Sequence, residues 1–354
     1  MVVAPTKLKV RVLVVDDSAL MRRYISGMVE SDPRIDVCGI AESGVEAIEK
    51  AKQLRPDVVT LDVDMPRMNG VETIPALLDV HQVPIIMFSS LTSKGAKTTL
   101  QALEAGAIDF MPKPTIRMAR DVQLVREELV GKILAVSGTK PIRRARVAST
   151  PAPTRPTAPS GSVQASQQLV VTLGISTGGP PALHDVLGAL RPPFPPIAIV
   201  QHMPPAFTGP FAQRLDSMCP FTVKEAEDGD PLEPNKVYIA PGGRHMEMKT
   251  FARKTLLRVF DADPVSGHRP SVDVLFRSAA ELLTRRVVGI IMTGMGHDGV
   301  EGCQAVLDKG GKTYGQDQAS SAVYGMNKLA FKAGAVQEQF SLDQLAQIIM
   351  GLRP

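Results

Sequence analysis

Short apolar runs alternate with helix-length amphipathic stretches along most of the chain, and this alternation restricts the fold more than any other feature. In the first third, Val10–Val15, Val37–Ala41, Val58–Leu61, Ile85–Phe88 and Asp109–Met111 read as strands. Helical patterns begin near Ser18, Gly44, Val71, Gly95 and Asp121. Further along, strands are expected at Leu169–Ile175, Ile197–Val200 and Val287–Met292, with shorter ones at Thr222–Glu225, Val237–Ile239 and Thr313–Tyr314. Helices are expected over Pro181–Leu190, Gly209–Met218, Ser271–Leu283, Val300–Lys309 and Leu342–Gly351. Strand–helix alternation implies a parallel sheet with helices on both faces. The expected fold class is therefore α/β, as two doubly wound parallel-sheet domains.

One stretch breaks the rhythm. Ser137 to Gln168 is rich in Pro, Ser, Thr and Ala and has no apolar period. Such a composition cannot bury enough surface to offset its chain entropy, which predicts a linker. Its basic residues Lys140, Arg143, Arg144 and Arg146 read as solvated charge. The expected division is a first domain over 1–136, a linker over 137–165 and a second domain over 166–354.

Composition narrows the function classes. A net charge of +4 is too small to imply nucleic acid. Aromatics at 4%, with no Trp, weigh against base-stacking readers. Cys38, Cys219 and Cys303 are far apart and odd in number, as for buried thiols in a reducing compartment. No apolar run reaches the length of a membrane span, and Met1 to Lys9 lacks the apolar core of a signal peptide. A cytoplasmic monomer without membrane insertion is expected.

Chemistry gathers where the strands end. The first strand closes on Asp16 and Asp17, the third on Asp62, the fourth on Ser89, and the fifth leads to Lys113-Pro114. Parallel α/β sheets place ligands at the carboxyl ends of their strands. Three carboxylates crowded there call for a cation, and Mg²⁺ suits a site of few carboxylates plus phosphate oxygens. One carboxylate could then accept a phosphoryl group, with the lysine and the hydroxyl pairing to its oxygens. A single solvated acid would mean little, but five such groups on four strand ends form a set.

Through VDDSALMRRYI, DVVTLDVDMPRMNG, IIMFSSLT and GAIDFMPKP, the first domain resembles a response-regulator receiver, a flavodoxin-like fold. The resemblance implies that Asp62 is the phosphoacceptor. It implies Mg²⁺ ligation by Asp17, Asp62 and the Asp64 main-chain carbonyl, with Asp16 acting through a water. It also implies phosphoryl sensing by Ser89 and Lys113, a cis Lys113-Pro114 bond and an aromatic switch position at Phe110. A histidine kinase of the chemotaxis type would be the phosphoryl donor.

In the second domain, Gly174-Ile175-Ser176-Thr177-Gly178 fits a serine on a tight strand-to-helix turn, with a helix N-terminus ready for an oxyanion. A serine nucleophile needs a base and an orienting acid. His202 follows the strand Ile197–Val200, and Asp298 follows Val287–Met292, so three strand ends offer Ser, His and Asp. His184 falls inside a helix, and His81, His245 and His268 fall in or near loops. The order Ser, His, Asp differs from that of α/β-hydrolases. A competing pattern, Gly294-x-Gly296-x-x-Gly299 with Asp317 about twenty residues on, fits a dinucleotide fingerprint. It leaves Ser176 and His202 unexplained and comes too late for a full dinucleotide half-sheet pair. A phospho-switched adaptor would need no triad, and a DNA-binding regulator would need a basic face.

GISTGGPPAL, VQHMPPAFTGPFAQRLD, VYIAPGGRHM, PSVDVLFRSAA, IIMTGMGHDGVEG and GQDQASSAVYGMNKLA resemble the catalytic domain of the CheB-type chemotaxis protein-glutamate methylesterase family. That resemblance implies a serine esterase of bacterial or archaeal origin that hydrolyses glutamate methyl esters on chemoreceptors, releases methanol and deamidates selected glutamines. The family's triad maps onto Ser176, His202 and Asp298, with oxyanion donors at the backbone N–H of Met295 and at Thr177. No cofactor is implied for ester hydrolysis. Arg244, His245 and Met246 are expected as cleft contacts, and the unphosphorylated receiver is expected to cover the active-site face.

Overall fold

The computed structural model describes residues 9–113, 122–139, 169–252 and 254–352. The chain divides into two compact units, Met1–Arg146 and Val147–Pro354. The expected linker falls outside the described residues from position 140 to its end at 165.

The first unit runs β1 (Val10–Val15), α1 (Ala19–Glu30), β2 (Ile35–Ala41), α2 (Gly44–Leu54), β3 (Val58–Asp62), α3 (Gly70–Val80), β4 (Ile85–Ser89), α4 (Ser93–Ala105), β5 (Asp109–Pro112) and α5 (Val122–Val136). Its five strands are parallel in the order β2-β1-β3-β4-β5. β3 and β4 are buried along their whole length, because helices cover both faces of the sheet. Side chains start the helices where the sequence supplies oxygens: Ser18, Ser43 and Thr92 each accept from a first-turn N–H, and Asn69 and Glu72 form a reciprocal capping box on α3. Lys132 on α5 reaches back to Asp109 Oδ2 and the Phe110 carbonyl on β5, both at 2.9 Å. The chain order reverses at the β1/β3 boundary, which opens a crevice at the carboxyl ends of those two strands.

The second unit runs β6 (Val170–Ile175), α6 (Gly179–Ala189), β7 (Ile197–Gln201), α7 (Pro205–Met218), β8 (Thr222–Glu225), β9 (Lys236–Ile239), β10 (His245–Phe251), β11 (Lys254–Phe260), α8 (Val272–Leu283), β12 (Val287–Ile291), α9 (Val300–Asp308), β13 (Lys312–Gln316), α10 (Met326–Lys332), β14 (Glu338–Phe340) and α11 (Leu345–Gly351). Seven of its strands form one parallel sheet in the order β14-β13-β12-β6-β7-β9-β8. The crossover that returns the chain from β9 to β12 reverses direction beside β6. The switch point therefore lies at β6 and β12, with β7 the next strand along.

The antiparallel hairpin β10–β11, the edge strand β14 and the helix α10 are additions to the expected elements. The hairpin packs Met246, Met248, Leu257 and Val259 into the core that also takes Phe276 and Ala279 of α8. Met248 N–H donates to Ser278 Oγ on α8 at 3.0 Å. Met246 and His245 are buried in this layer, so they are core residues rather than cleft contacts, whereas Arg244 stays exposed. No helix among the described residues is long and apolar enough to cross a membrane.

Candidate active site

Three strand ends meet at the switch point of the second sheet. Ser176 follows β6, His202 follows the neighbouring β7, and Asp298 lies in the turn between β12 and α9. Ser176 is held by its backbone: its N–H donates to Thr293 O at 3.0 Å, and its carbonyl accepts from Gly179 N–H at 2.7 Å and from Gln201 Nε2 at 3.1 Å. Gly178 turns the chain into α6 at φ 77, and a side chain there would also collide with Ala322. That left-handed turn is why the segment needs glycine. At Gly294 a Cβ would lie 2.7 Å from Ser176 Cβ, so the loop after β12 passes against the serine only because it carries no side chain there.

His202 and Asp298 are hydrogen bonded, Nε2 to Oδ2, at 2.8 Å. The imidazole donates through Nε2, which leaves Nδ1 as the basic nitrogen. Nδ1 is buried and has no hydrogen-bond partner among the described residues. Asp298 is fully buried and accepts three further bonds: Ser271 Oγ to Oδ1 at 2.8 Å, Val272 N–H to Oδ2 at 2.7 Å and Asp273 N–H to Oδ1 at 3.1 Å. Burial alone would push this carboxyl up. The bond to His202, the imidazole's charge and the Val272 and Ser271 donors outweigh it and hold Asp298 well below the usual carboxylate range. Asp273, directly behind, is pushed up by burial and by the charge of Asp298, although it accepts from Gly302 N–H at 2.7 Å.

Thr177 directly follows the serine, and Met295 follows Gly294, which packs against the serine; no hydrogen bond from either N–H is found among the described residues. Unengaged N–H groups beside a nucleophile can receive a developing oxyanion. His297 is exposed, and none of the hydrogen bonds of the His202–Asp298 pair among the described residues runs to its side chain. Gly299, part of the dinucleotide-like pattern, has φ 94, and a Cβ there would lie 2.7 Å from Val272 Cγ1. Its job is close packing of the Asp298 turn on α8. Asp317 is occupied by its own loop, accepting from Ser320 N–H at 2.9 Å.

Sequence reasoning missed the residues that hold the site. Thr293 Oγ1 ties the serine turn to the 323 loop, donating to Thr177 O at 2.9 Å and accepting from Val323 N–H at 2.9 Å. Gln316 Oε1 accepts from Thr293 N–H at 2.9 Å. Ser271 was legible as a helix start, but its second bond, to Asp298, had no sequence signal.

In the first unit, Asp16, Asp17 and Asp62 gather at the β1/β3 crevice, with one ligand atom from each lying within 4.8 Å of the others. Asp16 and Asp62 are buried, and Asp17 is exposed. Lys113 Nζ stands between them, 3.0 Å from Asp16 Oδ2 and 2.7 Å from Asp62 Oδ2. One ammonium against three carboxylates leaves an excess of negative charge, so the donor set fits a hard divalent cation. Burial pushes the Asp62 carboxyl up to about 6. The charge of Asp16 adds to the rise, and the hydrogen bond from Lys113 opposes it. Burial would lower the Lys113 ammonium, but its pairing with Asp62 and Asp16 raises it. Ser89 is buried at the end of β4, and Phe110 is buried on β5. Asp64 N–H donates to Asp62 Oδ1 at 3.3 Å. Pro114, and with it the expected cis bond, lies outside the described residues.

The family described as CheB methylesterase matches residues 171–349, and the response regulator receiver domain matches residues 12–124. A protein-glutamate methylesterase/protein-glutamine glutaminase of Dechloromonas aromatica is 45% identical over 349 residues, covering 97% of this chain and 98% of that protein. One from Pyrococcus horikoshii is 40% identical over 354 residues, covering 97% of this chain and 93% of its own length. The crystal structure of the Thermotoga maritima CheB methylesterase catalytic domain superposes with a TM-score of 0.51 at 37% identity, over 52% of this chain and 99% of that one. With both halves matched and the alignment running through nearly its full length, the chain belongs to the CheB family of response regulators, the protein-glutamate methylesterase/protein-glutamine glutaminases with an N-terminal receiver domain.

Proposed function

We propose that Ser176, His202 and Asp298 form the triad of a phosphorylation-activated esterase acting on methyl-esterified glutamates of chemoreceptors. The observation that carries this reading is the 2.8 Å His202–Asp298 bond, set on strand ends adjacent to that of Ser176. Ser176 Oγ attacks the ester carbonyl while His202 Nδ1 takes its proton. Asp298 fixes the tautomer and stabilises the imidazolium. The Met295 and Thr177 N–H groups receive the oxyanion. His202 returns the proton to departing methanol, and a water then releases the glutamate by the reverse proton path. On a glutamine side chain the same steps release ammonia.

The first unit, read as a receiver over 1–136 joined by a linker to a catalytic domain over 166–354, supplies the control. Asp62 takes a phosphoryl group from a chemotaxis histidine kinase, and Lys113 and Ser89 pair with its oxygens. Asp17, Asp62 and the Asp64 carbonyl would hold Mg²⁺ directly, and Asp16 would hold it through a water; the ion would offset charge on the transferring phosphoryl group. The receiver restrains the catalytic domain until Asp62 is modified.

Methanol release from methylated receptor membranes tests the coupling. Wild type is expected to speed up at least about tenfold with a small-molecule phosphoryl donor, as an ordinary allosteric coupling of a few kcal/mol permits. Asp62→Asn is expected to keep its resting rate and not respond. A donor response that survives Asp62→Asn would move the control elsewhere.

The raised Asp62 carboxyl gives Mg²⁺ binding a pH dependence. A group titrating at about 6 is charged at pH 7.5 and mostly neutral at pH 5. Protons then compete with the cation, so Mg²⁺ affinity should fall about tenfold from pH 7.5 to pH 5. Calorimetric titration of the full chain at the two pH values checks this; equal affinities would contradict it.

A further inference from the structure

One aromatic contact in the second unit has no part in the chemistry above. The His268 ring lies parallel to that of His202, with centroids 3.8 Å apart and planes 9° from each other. The His202 ring needs such a neighbour. Its single hydrogen bond, through Nε2 to Asp298, fixes one point of a flat ring and leaves the ring free to rotate about that point. Rotation would swing Nδ1 away from the serine, and a misplacement of about 1 Å in a reacting group can slow a reaction about 100-fold. A ring stacked on one face resists that rotation.

The segment carrying His268 is built to hold it. Val265 and His268 exchange both backbone hydrogen bonds, at 3.1 and 2.9 Å, across a two-residue turn. Ser266 and Gly267 occupy that turn at φ 52 and φ 78, the left-handed pair that closes the tightest hairpins. Ser266 Oγ donates to Asp273 Oδ2 at 3.0 Å, which ties the turn to the start of α8. The same helix start supplies the Ser271, Val272 and Asp273 donors to Asp298. One stretch of nine residues, 265–273, thus grips the acid from below and the base from its face.

We propose that His268 is a positioning residue for ester hydrolysis, its ring clamping the His202 imidazole in the plane that presents Nδ1 to Ser176. The proposal rests on the triad reading. It requires a flat ring at position 268 and does not require ring nitrogens.

The test uses the full-length protein with a phosphoryl donor and methylated receptor membranes, reading kcat and KM from methanol release. His268→Ala should lower kcat about 10- to 100-fold and leave KM within about twofold. His268→Phe should return kcat to within about threefold of wild type, and His268→Gln should not. Thermal unfolding of each variant identifies any that fails to fold, and the phenylalanine variant then decides the question by itself. Wild-type kcat in His268→Ala, a phenylalanine variant as slow as alanine, or a rise in KM in place of the fall in kcat would each overturn the clamp. His202→Ala in parallel separates the two readings: its activity tests the triad, whatever the His268 variants do.

Discussion

Ser176→Ala is expected to lose about 10⁴- to 10⁶-fold of methylesterase activity, with or without a phosphoryl donor, while folding as wild type. The size follows from what the substitution removes. A serine triad acts as a unit, and loss of its nucleophile takes nearly all of its contribution, leaving only what oxyanion binding and substrate positioning supply. Folding should survive because the structural work at this position is done by the backbone. The Ser176 N–H on Thr293 and the Ser176 carbonyl on Gly179 and Gln201 are unchanged in alanine. Receptor membranes should still bind, so KM for any residual activity should stay close to wild type. Methanol release under single-turnover conditions reads the loss, and a thermal melt reads the fold. Retention of more than a few per cent of the rate would remove Ser176 from the mechanism.

Asp298→Asn should lower kcat by about 10⁴-fold, and this variant should also be less stable. All four partners of the carboxylate approach as donors: His202 Nε2, Val272 N–H, Ser271 Oγ and Asp273 N–H. An asparagine must turn its NH₂ toward two of them. Facing His202 and Val272, it forces the imidazole to accept at Nε2 and carry its proton on Nδ1, so the base is gone. Facing Ser271 and Asp273, it keeps the imidazole tautomer and lets the hydroxyl rotate to accept, but it strands the Asp273 N–H and removes the negative charge that would stabilise the imidazolium. In a chymotrypsin-type enzyme the equivalent change of tautomer costs about 10⁴ in kcat. One stranded buried donor costs about 1–3 kcal/mol of stability. The expected outcome is a folded protein with a lowered melting temperature and a nearly silent esterase. A variant with full stability and activity above about a tenth of wild type would show that the acid neither fixes the tautomer nor holds the loop.

The parallel strands were legible because their signal is local. Val10–Val15 and Thr222–Glu225 have the bounds read from the apolar runs, and the other expected strands differ by one or two residues at their ends. The hairpin escaped although Met246-Glu247-Met248-Lys249 alternates as a half-buried strand should, because its turn at Ala252, φ 47, lacks the Asn-Gly type signal that would have paired the two runs. β14 is three residues long and α10 seven, too short for any period to emerge. His202 and Asp298 could be placed together because both lie in the loops that follow parallel strands, and the topology rule sets those loops on one edge. Ser271, Thr293, Gln316 and His268 could not, because each acts through a contact across many residues of chain. His268 was assigned to a loop, which is correct, but nothing in its neighbours signals that the loop folds over the face of another imidazole.

Ser271 gives the fold a particular failure mode. Its hydroxyl accepts from Val274 N–H as the first residue of α8 is entered and donates to Asp298 in the same position. The helix end that would ordinarily attract a dissolved anion is aimed inward, and the protein's own acid fills it. Order in one turn of helix and competence of His202 as the proposed base are therefore the same variable. As the chain is heated or exposed to denaturant, fraying of that single turn is expected to silence the proposed triad while the seven-stranded sheet is still intact.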